Sequence, residues 1–180
     1  MNEKLSYSGV VTLLHRVNNK VVYEKHYNNG TLNLFEAYAR ALCGQSITRF
    51  IPKRIDVGLV GDNNVFNTRV KPGVSIPVVI AYKSGGTDGG KYIDGKYDTD
   101  VPYCRVSTTL SADMFENIDS ASNLTVILKS AGGLDIAVVE VSGLAEAIND
   151  ANAGIQLLLV WDLYVTNSST EESNESAGNE

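Results

Sequence analysis

Several residue groups in this chain have types and spacings that could do chemistry. Gly85 to Lys91, GGTDGGK, fits G-x-x-x-x-G-K and follows a run rich in strand formers, Val78–Lys83. A phosphate-binding loop needs a hydroxyl next for Mg²⁺ and then a helix whose N-terminus faces the phosphates. Tyr92 stands where Ser or Thr is needed, and KYIDGKYDTDVP does not open a helix, so nucleotide binding is not expected. The same stretch carries Asp88, Asp94, Asp98 and Asp100. A hard cation such as Ca²⁺ takes about six to eight oxygen ligands in a defined order. The run from Asp94 to Asp100 lacks both the alternating D-x-D-x-D-G order and a closing Glu, so a solvated loop is the expectation and no metal site is assigned. His15 and His26 fall in strand-like segments, and neither G-x-S-x-G nor H-E-x-x-H occurs. Asp56, Asp135, Glu140 and Asp162 would suit glycoside hydrolysis if two of them faced each other across a cleft. Their spacing singles out no pair. The two cysteines, Cys43 and Cys104, are isolated from one another and from other metal-ligand types. They read as reduced thiols. No catalytic residue and no cofactor is expected, and the chain is not read as an enzyme.

The aromatic residues point elsewhere. Nine Tyr against four Phe and one Trp is a bias toward amphipathic rings. Rings of that kind, with Gly, Ser and Asn, are common on protein surfaces that adapt to partners. Tyr92, Ile93 and Tyr97 lie in the glycine- and aspartate-rich excursion at 84–100, SGGTDGGKYIDGKYDTD. Unpatterned loops longer than about 12–15 residues are usually functional or mobile. These three residues are the candidate interface, unless they fold back onto their own sheet.

The elements that must position these groups read mostly as strands. Tyr7–Val17 and Lys20–Tyr27 flank Asn18-Asn19, two residues that tolerate the positive φ of a tight hairpin. Further strands are expected at Lys53–Val60, Ile76–Lys83, Tyr103–Leu110, Asn123–Ser130, Ile136–Ser142 and Ile155–Val165. The last contains Leu157-Leu158-Leu159-Val160-Trp161, apolar on both faces, which suits a central strand. One helix is expected at about 31–43. Thr31 is its N-cap and Gly44 its stop, and Leu32, Phe35, Tyr38, Ala39 and Leu42 make one apolar stripe. Residues 144–152 are a second, shorter candidate. Strands and helices do not alternate, so a parallel α/β sheet is excluded. The fold class is mainly β: an antiparallel β-sandwich with one α-helix packed at its side.

The 180 residues suit one domain with a tail. Residues 166–180, TNSSTEESNESAGNE, hold four glutamates, no cation and no side chain able to bury much apolar area. The expected organisation is therefore a sandwich over 1–165 and an acidic disordered tail over 166–180. Net charge is −6, of which the tail carries −4 and the body −2. That balance argues against a nucleic-acid partner. No run of about 18 apolar residues is present, so no membrane span is expected. The opening residues lack the apolar core and cleavage site of a secretory leader.

The order of elements resembles a group of small β-rich virion proteins of tailed bacteriophages. In that group a hairpin is followed by a helix of the form G-x-x-x-LF-x-x-x-A-x-x-L-x-G, and here Gly30 to Gly44 read GTLNLFEAYARALCG. A proline-led strand ending in glycine follows, as in Pro52 to Gly58, and later a strand opening with Arg, as in Arg105-Val106-Ser107. The late I-x-E-x-G-L block has its counterpart in Ile136 to Leu144 with extra residues inserted. The final L-L-x-R strand has its counterpart in Leu158 to Trp161, without the Arg. The resemblance covers most of residues 7–165. It implies a structural virion role, such as a capsid decoration protein, a head-fibre base or a tail accessory protein. The expected partners are other virion proteins and copies of the chain itself, and the expected place is the outer surface of a particle assembled in a bacterial cytoplasm. The alternative expectation is a host-surface or carbohydrate-binding β-sandwich module.

Overall fold

The computed structural model describes residues 3–15, 20–28, 32–83, 91–93, 96–98, 103–116, 118–151 and 156–169. It is mainly β, with twelve strands among these residues. They are β1 Glu3–His15, β2 Lys20–Asn28, β3 Pro52–Val60, β4 Phe66–Thr68, β5 Ile76–Pro77, β6 Val79–Lys83, β7 Lys91–Ile93, β8 Lys96–Asp98, β9 Tyr103–Leu110, β10 Leu124–Ser130, β11 Asp135–Val141 and β12 Leu157–Ser169. Two α-helices accompany them, α1 Leu32–Leu42 and α2 Leu144–Asp150.

The strands form two antiparallel sheets. One has the order β2-β1-β12-β9-β6, and the other β11-β10-β3-β4 with β5 also paired to β3. Alternation decides which side chains meet between them. Val11 and Leu13 of β1, Leu157, Leu159 and Trp161 of β12, and Val106 and Leu110 of β9 point inward from the first sheet, all fully buried. Ile55 and Val57 of β3 and Leu124, Val126 and Leu128 of β10 meet them from the second. The apolar run around Trp161 therefore sits on the central strand of its sheet, as its sequence suggests. The chain crosses between sheets in a single stretch: Ile76 pairs with Ile55 in one sheet, and three residues on Val79 pairs with Ser107 in the other. Val78 makes the corner by donating its N–H to the Lys53 carbonyl. The far side is closed by side chains. Tyr23 Oη and Lys25 Nζ of β2 donate to the Glu140 carbonyl of β11 at 3.1 and 3.3 Å.

The helix expected at about 31–43 is present as α1, and the shorter candidate at 144–152 is a second helix, α2, with Leu144, Ala145, Ala147 and Ile148 in the core. It starts from Gly143, whose φ of 75° favours glycine. α1 lies beside β11 and the short 3₁₀ turn at Thr48–Phe50. Tyr38, Ala39 and Leu42 of its apolar stripe are exposed. The Phe35 side chain lies outside the described residues.

The tail boundary also shifts. β12 runs to Ser169, where it pairs with Glu3, so residues 166–169 continue the ladder. A long partner strand supplies backbone hydrogen bonds there without apolar side chains. Residues 170–180 lie outside the described residues.

Candidate functional site

Of the carboxylates that sequence singled out, Asp56, Asp135 and Glu140 lie in the second sheet, on the two strands that flank β10, and Asp162 lies in the first. Asp162 of β12 is directly opposite Arg105 of β9. The guanidinium grips the carboxylate with two bonds of 2.8 Å, and the pair is partly shielded from solvent. Asp135 is paired with Lys129 across the β10–β11 turn, and Asp56 with Arg54 on its own strand. Each of these three carboxylates is engaged in an ion pair. Glu140 contributes its backbone carbonyl to the sheet closure described above. His15 pairs with Lys20 and Leu157, whereas His26 pairs with Val10, so the ladder sets the two histidines at different positions. Both cysteines are free. Burial raises the Cys104 thiol pKa first, and the neighbouring Asp162 carboxylate raises it further, the opposite of an activated nucleophile. Burial likewise raises the Tyr23 phenol, with Glu140 adding to it. Among the described residues no three His, Cys, Asp or Glu side chains gather into a metal site.

One cleft of about 520 Å³ opens between the 3₁₀ turn at Ala112–Met114 and α2. Several of its polar groups hold the loop, and the Glu116 carboxylate also lines it. Lys71 Nζ donates to the Asp113 carbonyl at 2.8 Å, Ser111 Oγ donates to the Asp113 carboxylate, and Asn149 Nδ2 donates to the Ile118 carbonyl and Ser120 Oγ.

The excursion at 84–100 is organised in part. Its backbone holds the two short strands β7 and β8, with Tyr92 opposite Tyr97 and Ile93 opposite Lys96. The side chains of Tyr92, Ile93 and Tyr97 lie outside the described residues, as do residues 84–90, 94–95 and 99–102. Asp88, Asp94 and Asp100 fall there too.

Two apolar surfaces were not anticipated. The first is β6, at the end of its sheet. Val79 and Tyr82 are 70% and 75% exposed, and Ile80 is 44% exposed. Ile80 and Tyr82 pair with Val106 and Cys104, so they continue the inward-facing row of β9, but they are exposed. The second is the end of α1, where Leu42 is 71% exposed beside Tyr38. In sequence, Val78-Val79-Ile80-Ala81-Tyr82 reads as a buried strand because it is apolar on both faces. The signal against that reading is Pro77, since proline within a strand run marks an edge.

Comparison with protein-family models, with curated proteins and with solved structures finds no match.

Proposed function

We propose that this chain is a non-enzymatic structural component of a tailed-bacteriophage virion. It would be a decoration or head-fibre type of capsid protein that binds other virion proteins and further copies of itself. The observation that carries the reading is an open apolar strand edge, β6, on a sandwich in which three of the four candidate carboxylates, Asp56, Asp135 and Asp162, are tied into ion pairs. Exposed contiguous apolar groups on a small domain mark interaction sites. The segments on which the resemblance rests lie on the following elements. Gly30–Gly44 spans α1, with Gly44 at φ 67° just past its end, and β3 starts at Pro52. Ile136–Leu144 spans β11 and the start of α2, and Leu158–Trp161 lies in β12. The Arg105 strand starts two residues earlier, at Tyr103.

The acidic residues of 170–180 favour the outer surface, because packed DNA would repel them. The alternative reading, a tail accessory or carbohydrate-binding module, finds less support. Trp161 is the chain's one tryptophan and is fully buried, so it cannot stack on a sugar. Peptide mass spectrometry of gradient-purified particles from the encoding genome tests the proposal. The chain should be present at a fixed ratio to the major capsid protein. Its absence from particles, with the chain present in the lysate, would overturn the reading.

A further inference from the structure

We infer that β6 is the surface through which two copies of this chain pair, edge to edge and antiparallel, joining their five-stranded sheets into one of ten strands. This assigns a surface to the self-association in the virion reading, and it is tested on the isolated chain, so its failure and that of the particle experiment are separable.

An unpaired sheet edge presents a row of N–H and C=O groups that another strand can satisfy, and proteins normally blunt such edges with charge, bulges or cover. The opposite edge of the same sheet, β2, carries Lys20, Glu24, Lys25 and His26 and is tied across to β11 by Tyr23 and Lys25. That contact also occupies the Glu140 carbonyl of β11, the edge strand of the second sheet, and β4, at its other end, is only three residues long. Among the described residues β6 has none of these protections except Lys83 at its end. Among the described residues no strand lies on its outer side.

The sequence of β6 fits a second copy of itself. A two-fold axis through Ala81 gives the largest overlap of five residues. It sets Ala81 against Ala81, Ile80 against Tyr82 twice, and Val79 against Lys83 twice. Like charges opposite each other would oppose pairing, and none occur in this register. Ile80 and Tyr82 meet on the face that continues the core, so the dimer extends the apolar row of β9 across the junction. β6 carries no acidic residue, so two copies with a net charge of −6 approach along an edge that adds no carboxylate repulsion of its own. An isologous contact of this kind closes at two copies. Five residues a side bury less than the roughly 1,200 Å² of stable interfaces, so the pair is weak, with a Kd on the order of 10–100 μM.

Sedimentation equilibrium of the full chain under reducing conditions tests this. The mass should rise from monomer toward dimer across that range. Ile80→Lys and Tyr82→Lys, both at exposed positions and checked for native circular dichroism, should stay monomeric, while Leu42→Lys on α1 should dimerise like the parent. The register is tested with Ala81→Cys in a Cys43→Ser background. Mild oxidation should give a covalent dimer from Ala81→Cys and none from Val65→Cys, which is exposed elsewhere. A parent that stays monomeric, β6 variants that dimerise normally, or equal cross-linking at both positions would each overturn the inference.

Discussion

At Gly58 the chain leaves no room for a side chain, because a β carbon there would run into the Asn67 carbonyl and the Phe66 ring. Gly58→Ala should therefore destabilise the fold by about 1–3 kcal/mol, measured by urea unfolding, even though alanine is the smallest possible change. Trp161 sits fully buried on the central strand. Trp161→Ala should cost about 3–5 kcal/mol. Cys104 and Tyr23 set a pH dependence. Their ordinary values are 9.0 and 10.0, and burial raises both in the folded chain. At pH below the unfolded value both states keep the proton, so stability is level. As pH climbs past about 9 the unfolded chain releases protons that the folded chain retains, and stability falls. The denaturation midpoint should thus be flat near neutrality and decline above about pH 9, with a shallower decline for Cys104→Ala. Thiol titration should show Cys43, which is exposed, reacting well before Cys104.

The two helices show why period alone does not tell packing. α1 has the stronger sequence signature of cap, stripe and stop, yet its last turn faces solvent, while four of the seven residues of α2 are in the core. Leu42→Ala should change stability by less than about 0.5 kcal/mol, whereas Ile148→Ala should cost about 2–5 kcal/mol. Most strands were legible because each carries enough residues to show alternation or an unbroken apolar run, and Tyr103–Leu110 matches β9 end to end. Phe66–Thr68 was not legible, since three residues show no period. The run Ile76–Lys83 was read as one strand, but its two halves serve different sheets. Nothing local encodes which neighbour a strand will take, and that choice leaves β6 at an edge. The candidate interface was legible only in kind, as exposed apolar and aromatic groups. The sequence pointed to Tyr92, Ile93 and Tyr97, whose side chains lie outside the described residues, and missed Val79, Ile80 and Tyr82.

Across the whole molecule, the first and last described strands are neighbours, paired from Glu3↔Ser169 to His15↔Leu157 at the middle of one sheet. Such long-range pairing closes a large loop before it is rewarded, so folding should be slow for this size, in milliseconds to seconds by stopped flow. Deleting residues 1–15 removes a central strand and should abolish folding. Deleting 170–180 should leave the melting temperature unchanged, because TEESNESAGNE has little apolar area to bury. The virion reading makes the sandwich a part that works by contact, with β6 as its joint. The most direct test is a subnanometre reconstruction of particles from the encoding genome. The account predicts one sandwich per fixed site on the outside of the particle, with β6 continued by a strand of a neighbouring subunit. Particles without this density, or with β6 facing solvent in every copy, would contradict it.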